Sequence, residues 1–388
     1  MFTRRGLMRT GVLAGFGATL PIKMAYAATK NDNRLVVIVL RGAMDGLSVV
    51  VPYGDPAYAA ARGRLALAPG AGAVKLDGLF ALNGSLSQFG SAYGSGEALA
   101  VHAVASPARG RSHFDSQNVL ETGGTAPYAL SSGWLNRALS RLPQAQAIAV
   151  STGMPMLLQG PAKVGSWSPT RLPQSDDDTL SRIARMYEAD PVLHANFTEA
   201  QALNLLAANA GEGNMAMGGG AQGLTQMAKV AAKLIVDPAG PQFVVLDRGG
   251  WDTHAAQPGR LNVALTDLDA ALGALQLGLG PLWAKTTVLC ITEFGRTVAV
   301  NGTDGTDHGT GSCALLMGGA VRGGRVVTDW PGLQMAQRFE GRDLKPTLDI
   351  RAVIKGVLRD HIGLSEGDLT SVFPGSGAVA PLGGLIRV

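Results

Sequence analysis

Four short segments of this chain concentrate the residue types that bind metals and anions. They are Arg41-Gly42-Ala43-Met44-Asp45, Arg111-Ser112-His113-Phe114-Asp115, Arg248-Gly249-Gly250-Trp251-Asp252-Thr253-His254 and Glu293-Phe294-Gly295-Arg296, the last trailed by Asp307-His308-Gly309. Four of the six histidines, His102, His113, His254 and His308, lie in or beside them. Carboxylate and imidazole together suit a divalent cation such as Zn, Mn or Fe. Asp252 and His254, two residues apart, can both reach one cation from a loop. The alternative is Asp252 as a helix cap with His254 on the surface. Asp45, beside glycines, is either a ligand or a turn or N-cap aspartate, since Asp-Gly is a common turn pair. Glu293 ends an apolar run, where an acid needs a partner, and Arg296 is the simplest one. Asp307 and His308 sit in a Gly/Thr-rich loop of ordinary turn composition.

Ser112 opens an expected helix with Asp115 three residues on, which is a capping box. The same position suits a nucleophile, because free N–H groups and the helix dipole stabilise an attacked phosphate or sulfate. Ser112, His113 and Arg296 are the candidate catalytic groups. Arg41 and Arg111, with Arg248 and Arg296, are candidate clamps for an anionic substrate, or else they balance the neighbouring acids.

These segments need a scaffold that brings them to one place. Apolar runs rich in Val, Ile, Leu and Ala at 35–40, 98–104, 147–150, 243–246, 287–291 and 314–317 read as strands buried on both faces. Helical patterns lie at 86–93, 113–121, 134–142, 180–188, 200–208, 224–235, 261–277 and 350–358. This alternation predicts an α/β fold with a mainly parallel central sheet between helical layers. Ligands of such folds gather beyond the carboxyl ends of the strands, where Asp45, Asp252 and Glu293 fall. The stretch 151–240 has helices but few strand signals and reads as a helical insertion, and 211–223 as a loop or lid. Residues 37–45 echo 243–252 (strand, Arg-Gly, bulky residue, Asp), suggesting two strands that present an aspartate alike to one shared site.

Paired Arg4 and Arg5, an apolar stretch over 11–22 and Ala25-Tyr26-Ala27 have the pattern of a twin-arginine signal peptide over 1–27. Residues 28–388 then form one domain, large enough for a substantial core. The chain has 33 Lys and Arg against 29 Asp and Glu, and four of the cations (Arg4, Arg5, Arg9, Lys23) lie in the signal without an acid, so the remainder is neutral, 29 against 29. That balance, with no later basic run, argues against a nucleic-acid partner. The apolar stretch of the signal is too short to span a bilayer and no later segment is expected to, so no stable span is left after cleavage. Cys290 and Cys313, each in an apolar run, read as buried thiols on neighbouring strands.

The segments RGAMDGLSVVVP (41–52), RSHFDSQNVLETG (111–123), SGWLNRAL (132–139), DRGGWDTH (247–254), ITEFGRT (291–297), GTDHGTG (305–311) and MGGAVRGGRVVTDWPGL (317–333) resemble an uncharacterised bacterial family of twin-arginine-exported proteins grouped with the alkaline phosphatase and sulfatase superfamily. The resemblance covers nearly all of 28–388. It implies an alkaline phosphatase-like fold with two metal positions at the strand ends. By motif, the metal ligands would be Asp45, Asp252, His254, Glu293, Asp307 and His308, and the cofactor a divalent ion (Zn, Mn, Mg or Ca). The chain departs from the superfamily pattern at Phe294, which stands where a metal-binding histidine is usual, and in the close spacing of Asp252 and His254. Ala105, two before Pro107-Ala108-Arg109, argues against a formylglycine sulfatase. The implied function is an exported, periplasmic or secreted, metal-dependent hydrolase of phosphate or sulfate esters. Its partners would be a small or polymer-borne anionic ester and, during export, the twin-arginine translocase. The alternative is a non-catalytic metal-binding accessory protein of the cell envelope.

Overall fold

A computed structural model describes residues 32–168, 176–209 and 223–387. The signal-like segment 1–27 and most of the expected lid, 211–222, lie outside the described residues.

Among the described residues, thirteen strands form two sheets. The first, β1 (Arg34–Leu40), opens the large sheet. The short β2 (Val50–Val51), β3 (Ala68–Pro69), β4 (Gly72–Lys75) and β5 (Ala81–Asn83) build a separate four-stranded sheet in the order β2-β5-β4-β3. The rest join β1: β6 (Ala98–Ala105), β7 (Ala147–Val150), β8 (Gly165–Trp167), β9 (Phe243–Arg248), β10 (Thr286–Ile291), β11 (Ser312–Met317), β12 (Arg325–Val327) and β13 (Leu348–Asp349). The order is β12-β6-β11-β10-β1-β9-β7-β8, with β13 also beside β6. Only β11 runs against its neighbours β10 and β6; every other pairing in this sheet is parallel. The fold is α/β, with a mainly parallel central sheet between helical layers.

Period-two alternation explains the layers. In β1, Val36, Ile38 and Leu40 face one side and pack with the helices Ser87–Gly94, Gly223–Val236 and Gln257–Leu279. Leu35, Val37 and Val39 face the other, with Trp134–Leu139, Ile350–Val357 and Glu366–Val372. Between β7 and β9 lie β8 and the helices Asp177–Tyr187, Pro191–Asn209 and Gly223–Val236; the last covers the sheet as part of its core. By length and composition, 257–285 is apolar enough to cross a membrane, against the expectation that no later segment would be. Its Leu261, Leu265, Leu268, Leu272 and Leu275 are instead buried against the sheet. Cys290 and Cys313 are free, buried thiols on the adjacent β10 and β11.

Because β11 is reversed, the loop before it meets the carboxyl ends of β1, β6, β9 and β10 at one edge. The segments 41–45, 106–113, 249–254, 292–296 and 306–311 therefore share a rim.

Candidate metal centre

Three imidazoles and one carboxylate converge on this rim. Nε2 of His308 stands 3.0 Å from Nε2 of His113 and 3.0 Å from Nε2 of His254. Asp252 lies 3.3 Å from His308 Nε2, 3.0 Å from His254 Nε2 and 3.5 Å from His113 Nε2. Around a four-coordinate ion with bonds of about 2.0–2.1 Å, donors sit about 3.3 Å apart, which matches this spacing. Ligand atoms of His113, Asp252 and His308 all fall within 4.8 Å of one another.

The opposite edges of the rings are what would let this group hold a cation. Nδ1 of His113 faces Glu293 Oε1 at 2.8 Å, Nδ1 of His254 faces Asp307 Oδ1 at 3.2 Å, and Nδ1 of His308 faces the Arg111 carbonyl at 3.0 Å. Each of those partners accepts, so each Nδ1 carries the proton and each Nε2 presents a bare lone pair. Three lone pairs cannot satisfy one another. A cation held between His113, His308 and Asp252 satisfies two of them, with His254 beside it against His308 and Asp252, and the hydrogen-bonded outer partner on each ring is the usual support of a metal-binding histidine.

The rim is braced from below. Arg296, wholly buried, donates from Nη1 to Asp252 Oδ1 at 2.5 Å and from Nε to Thr306 Oγ1 at 3.1 Å. Glu293, also buried, accepts from the Gly42 N–H at 2.8 Å and from Gln117 at 3.0 Å as well as from His113. Gly42 has φ +118°, and a Cβ there would stand 2.7 Å from the Asp252 nitrogen, so only glycine lets the β1 loop touch that backbone. Phe294 packs beneath, its ring 5.0 Å from that of His113 and 5.2 Å from that of His308. Asp252 and His254 remain open, with side chains 41% and 45% exposed, so a solute can reach the ligand edge.

Electrostatics follow these contacts. The hydrogen bond to Glu293 raises the His113 pKa against its partial burial. Burial and then the neighbouring His113 depress that of His308, so a proton on one ring disfavours a proton on the other. Burial alone would raise Asp252, but Arg296 outweighs it and keeps the carboxylate ionised. Glu293 is likewise held low despite burial, by His113, Gln117 and backbone N–H groups.

Of the expected metal ligands, Asp252, His254 and His308 meet here. His113, expected to be catalytic, supplies a ring to the same group, while Glu293 and Asp307 stand behind the rings rather than at the lone pairs. The sequence places Glu293 at a strand end but gives no sign of which ring atom it faces. Asp45 stands apart from the ligand group. It caps the helix Gly46–Val49, accepting from Leu47, and its carboxylate pairs with the buried Arg62. The echo of 37–45 in 243–252 therefore does not bring two aspartates to one ligand group.

Ser112 caps the helix His113–Thr122, its Oγ accepting from the Asp115 N–H at 3.4 Å. Arg41 is bound to Asp247 at 2.7 Å and Glu121 at 2.6 Å, and Arg111 to Asp343 at 2.8 Å and to Glu340. Both guanidiniums thus balance acids, as Arg296 does. Arg248 lies 3.5 Å from Asp267. His102 is a core residue of β6, wholly buried, bonded to the Val50 carbonyl at 2.8 Å and stacked on Phe80. Phe114, next in sequence to His113, is 81% exposed.

A profile of the family described as "Protein of unknown function (DUF1501)" matches residues 88–370. Comparison with curated proteins finds no match. Among solved structures, the chain is similar to the C-terminal periplasmic domain of EcEptC from Escherichia coli (TM-score 0.43, 10% identity, covering 90% of this chain and 88% of that one). It is also similar to the PsFucS1 sulfatase from Pseudoalteromonas sp. (0.40, 12%, 92% and 73%) and to the alkaline phosphatase from the Antarctic bacterium TAB5 (0.37, 11%, 78% and 95%).

Proposed function

The chain belongs to the family described as protein of unknown function DUF1501, and we propose that this member is an exported, metal-dependent hydrolase of phosphate or sulfate esters. The observation that carries the metal reading is the meeting of three imidazole lone pairs with Asp252, each Nδ1 held by an acceptor. Three nitrogens and a carboxylate favour Zn or another transition ion over Mg or Ca. When bound, such an ion supplies Lewis-acid chemistry, polarising an ester oxygen and lowering the pKa of water.

The chain's own residues hold that arrangement. Glu293, Asp307 and the Arg111 carbonyl fix the rings, and Arg296 fixes Asp252. Ser112, beside His113 at a helix N-terminus, is the candidate nucleophile, with its hydroxyl next to the free N–H groups of the first turn. The substrate is an anionic ester, small or carried on a polymer; nucleic acid is not a partner. Arg4 and Arg5 direct the chain to the twin-arginine translocase and so to the periplasm or outside. Replacing both with Lys is expected to leave full-length protein in the cytoplasm, and normal export of that variant would reject this route.

The test of the hydrolase is metal analysis of protein purified without added metal, followed by assay on phosphomonoesters, phosphodiesters and sulfate esters. Turnover that depends on the metal and is lost in Ser112→Ala is expected. Since losing the cap costs only about 1 kcal/mol, that variant should stay folded and metal-loaded. Full turnover by Ser112→Ala would remove Ser112 as nucleophile. The second reading, a metal-binding accessory protein of the envelope, is favoured by the pairing of Arg41, Arg111 and Arg296 with acids. No turnover of any ester by the metal-loaded protein would put it first.

A further inference from the structure

We infer that the chain takes one metal ion and not two, because the guanidinium of Arg62 fills the place of a second cation; the inference rests on the metal reading above. Arg62 ends the helix Tyr58–Arg62 and is wholly buried. Its Nη2 pairs with Asp45 and donates to Ser48 Oγ at 2.7 Å, and its Nη1 faces the carbonyls of Thr297 at 3.1 Å and Val298 at 3.2 Å. A carboxylate, a hydroxyl and two carbonyls are the hard oxygen donors that a Mg or Ca ion would use. Here they surround a guanidinium instead.

The acids that a second ion would need are also spent. A carboxylate offers about four acceptor positions. Asp45 fills its positions with the Leu47 N–H at 3.2 Å, Ser48 at 2.8 Å, Gln257 at 2.5 Å and Arg62. Glu293 accepts from Gly42, His113 and Gln117 on one oxygen and from Thr292 on the other. Phe294, where the superfamily pattern has an imidazole, contributes only a ring face to His113 and His308. The centre is therefore mononuclear, and a two-ion clamp on both the attacking and leaving oxygens is not available to it.

The full chain, stripped of metal, should be titrated with Zn²⁺ in a millimolar Mg²⁺ background by calorimetry and elemental analysis. One equivalent is expected. Two would overturn the inference while leaving the metal reading intact, and none would overturn both. In Arg62→Ala the oxygen cage loses its cation, so a second equivalent, of Mg²⁺ or Zn²⁺, is expected; a folded Arg62→Ala that still binds one counts against the guanidinium's role. Should that variant not fold, Arg62→Met with Asp45→Asn removes both buried charges together and is expected to keep its single Zn²⁺. Loss of that Zn²⁺ from the folded double variant would put Asp45 among the ligands and overturn the inference.

Discussion

Replacing Glu293 with Gln tests whether the second row of the site sets metal affinity. The carboxylate is buried, touches no ligand lone pair and acts on the metal only through the Nδ1–H of His113, 2.8 Å away. Glutamine keeps the shape and one carbonyl acceptor but removes the charge that makes the imidazole a stronger donor. Loss of such an outer partner typically weakens metal binding about 10–100-fold. At free metal about 1,000 times the wild-type Kd, binding stabilises the wild type by about 4.1 kcal/mol. The same concentration is only about 100 to 10 times the variant's Kd, a gain of about 2.7 to 1.4 kcal/mol. The variant should therefore lose about 1.4–2.7 kcal/mol of metal-induced stability while its metal-free stability changes much less. Denaturant melts with and without Zn²⁺, run beside a competition titration, give both quantities. An unchanged metal increment in Glu293→Gln would refute the role assigned to this acid and to the orientation of His113.

Gly42→Ala should lose metal as well, since its φ of +118° and a Cβ 2.7 Å from the Asp252 nitrogen force the β1 loop away from a ligand; wild-type metal content in the folded variant would contradict this. His102 predicts a pH effect independent of the metal. Burial pushes its pKa down to about 4, below the ordinary 6.5 or so of an unfolded chain, so its contribution is intact above pH 6.5 and is lost as pH falls from there towards 4. The loss amounts to about 3 kcal/mol, and His102→Gln should flatten the difference between melts at neutral and mildly acid pH. An equally steep fall in that variant would assign the acid sensitivity elsewhere. Phe114→Ala, at an exposed ring beside His113, should leave metal content unchanged and raise KM for any ester that is turned over; a loss of metal instead would make the ring structural.

Much of the fold was legible because buried parallel strands leave an unmistakable trace: the runs that became β1, β6, β9 and β10 have apolar residues on both faces and stop where chemistry begins. The small sheet β2–β5 was not, since strands of two to four residues carry too little periodicity. The helix 257–285 gives composition without context, and only its packing on the sheet shows that its leucines are core. At the site, residue type identified the neighbourhood of Asp252, His254 and His308. Roles within it depend on which atom faces which. His113 and Glu293, 180 residues apart in sequence, meet with one ring edge turned to the acid and the other to the cluster. The fate of Asp45 rests on Arg62, a guanidinium with no motif around it, while the cap it forms with Leu47 is the turn chemistry that Asp-Gly advertises.

X-ray absorption at the metal edge of the Zn²⁺-loaded protein, with His113→Ala and His308→Ala beside it, tests the central claim most directly. The account predicts about three imidazole nitrogens at about 2.0–2.1 Å with an oxygen donor in the wild type, and one imidazole fewer in any single-histidine variant that retains metal. A chain that takes up no metal, or a bound ion whose shell of oxygens is unchanged by losing His113 or His308, would contradict it.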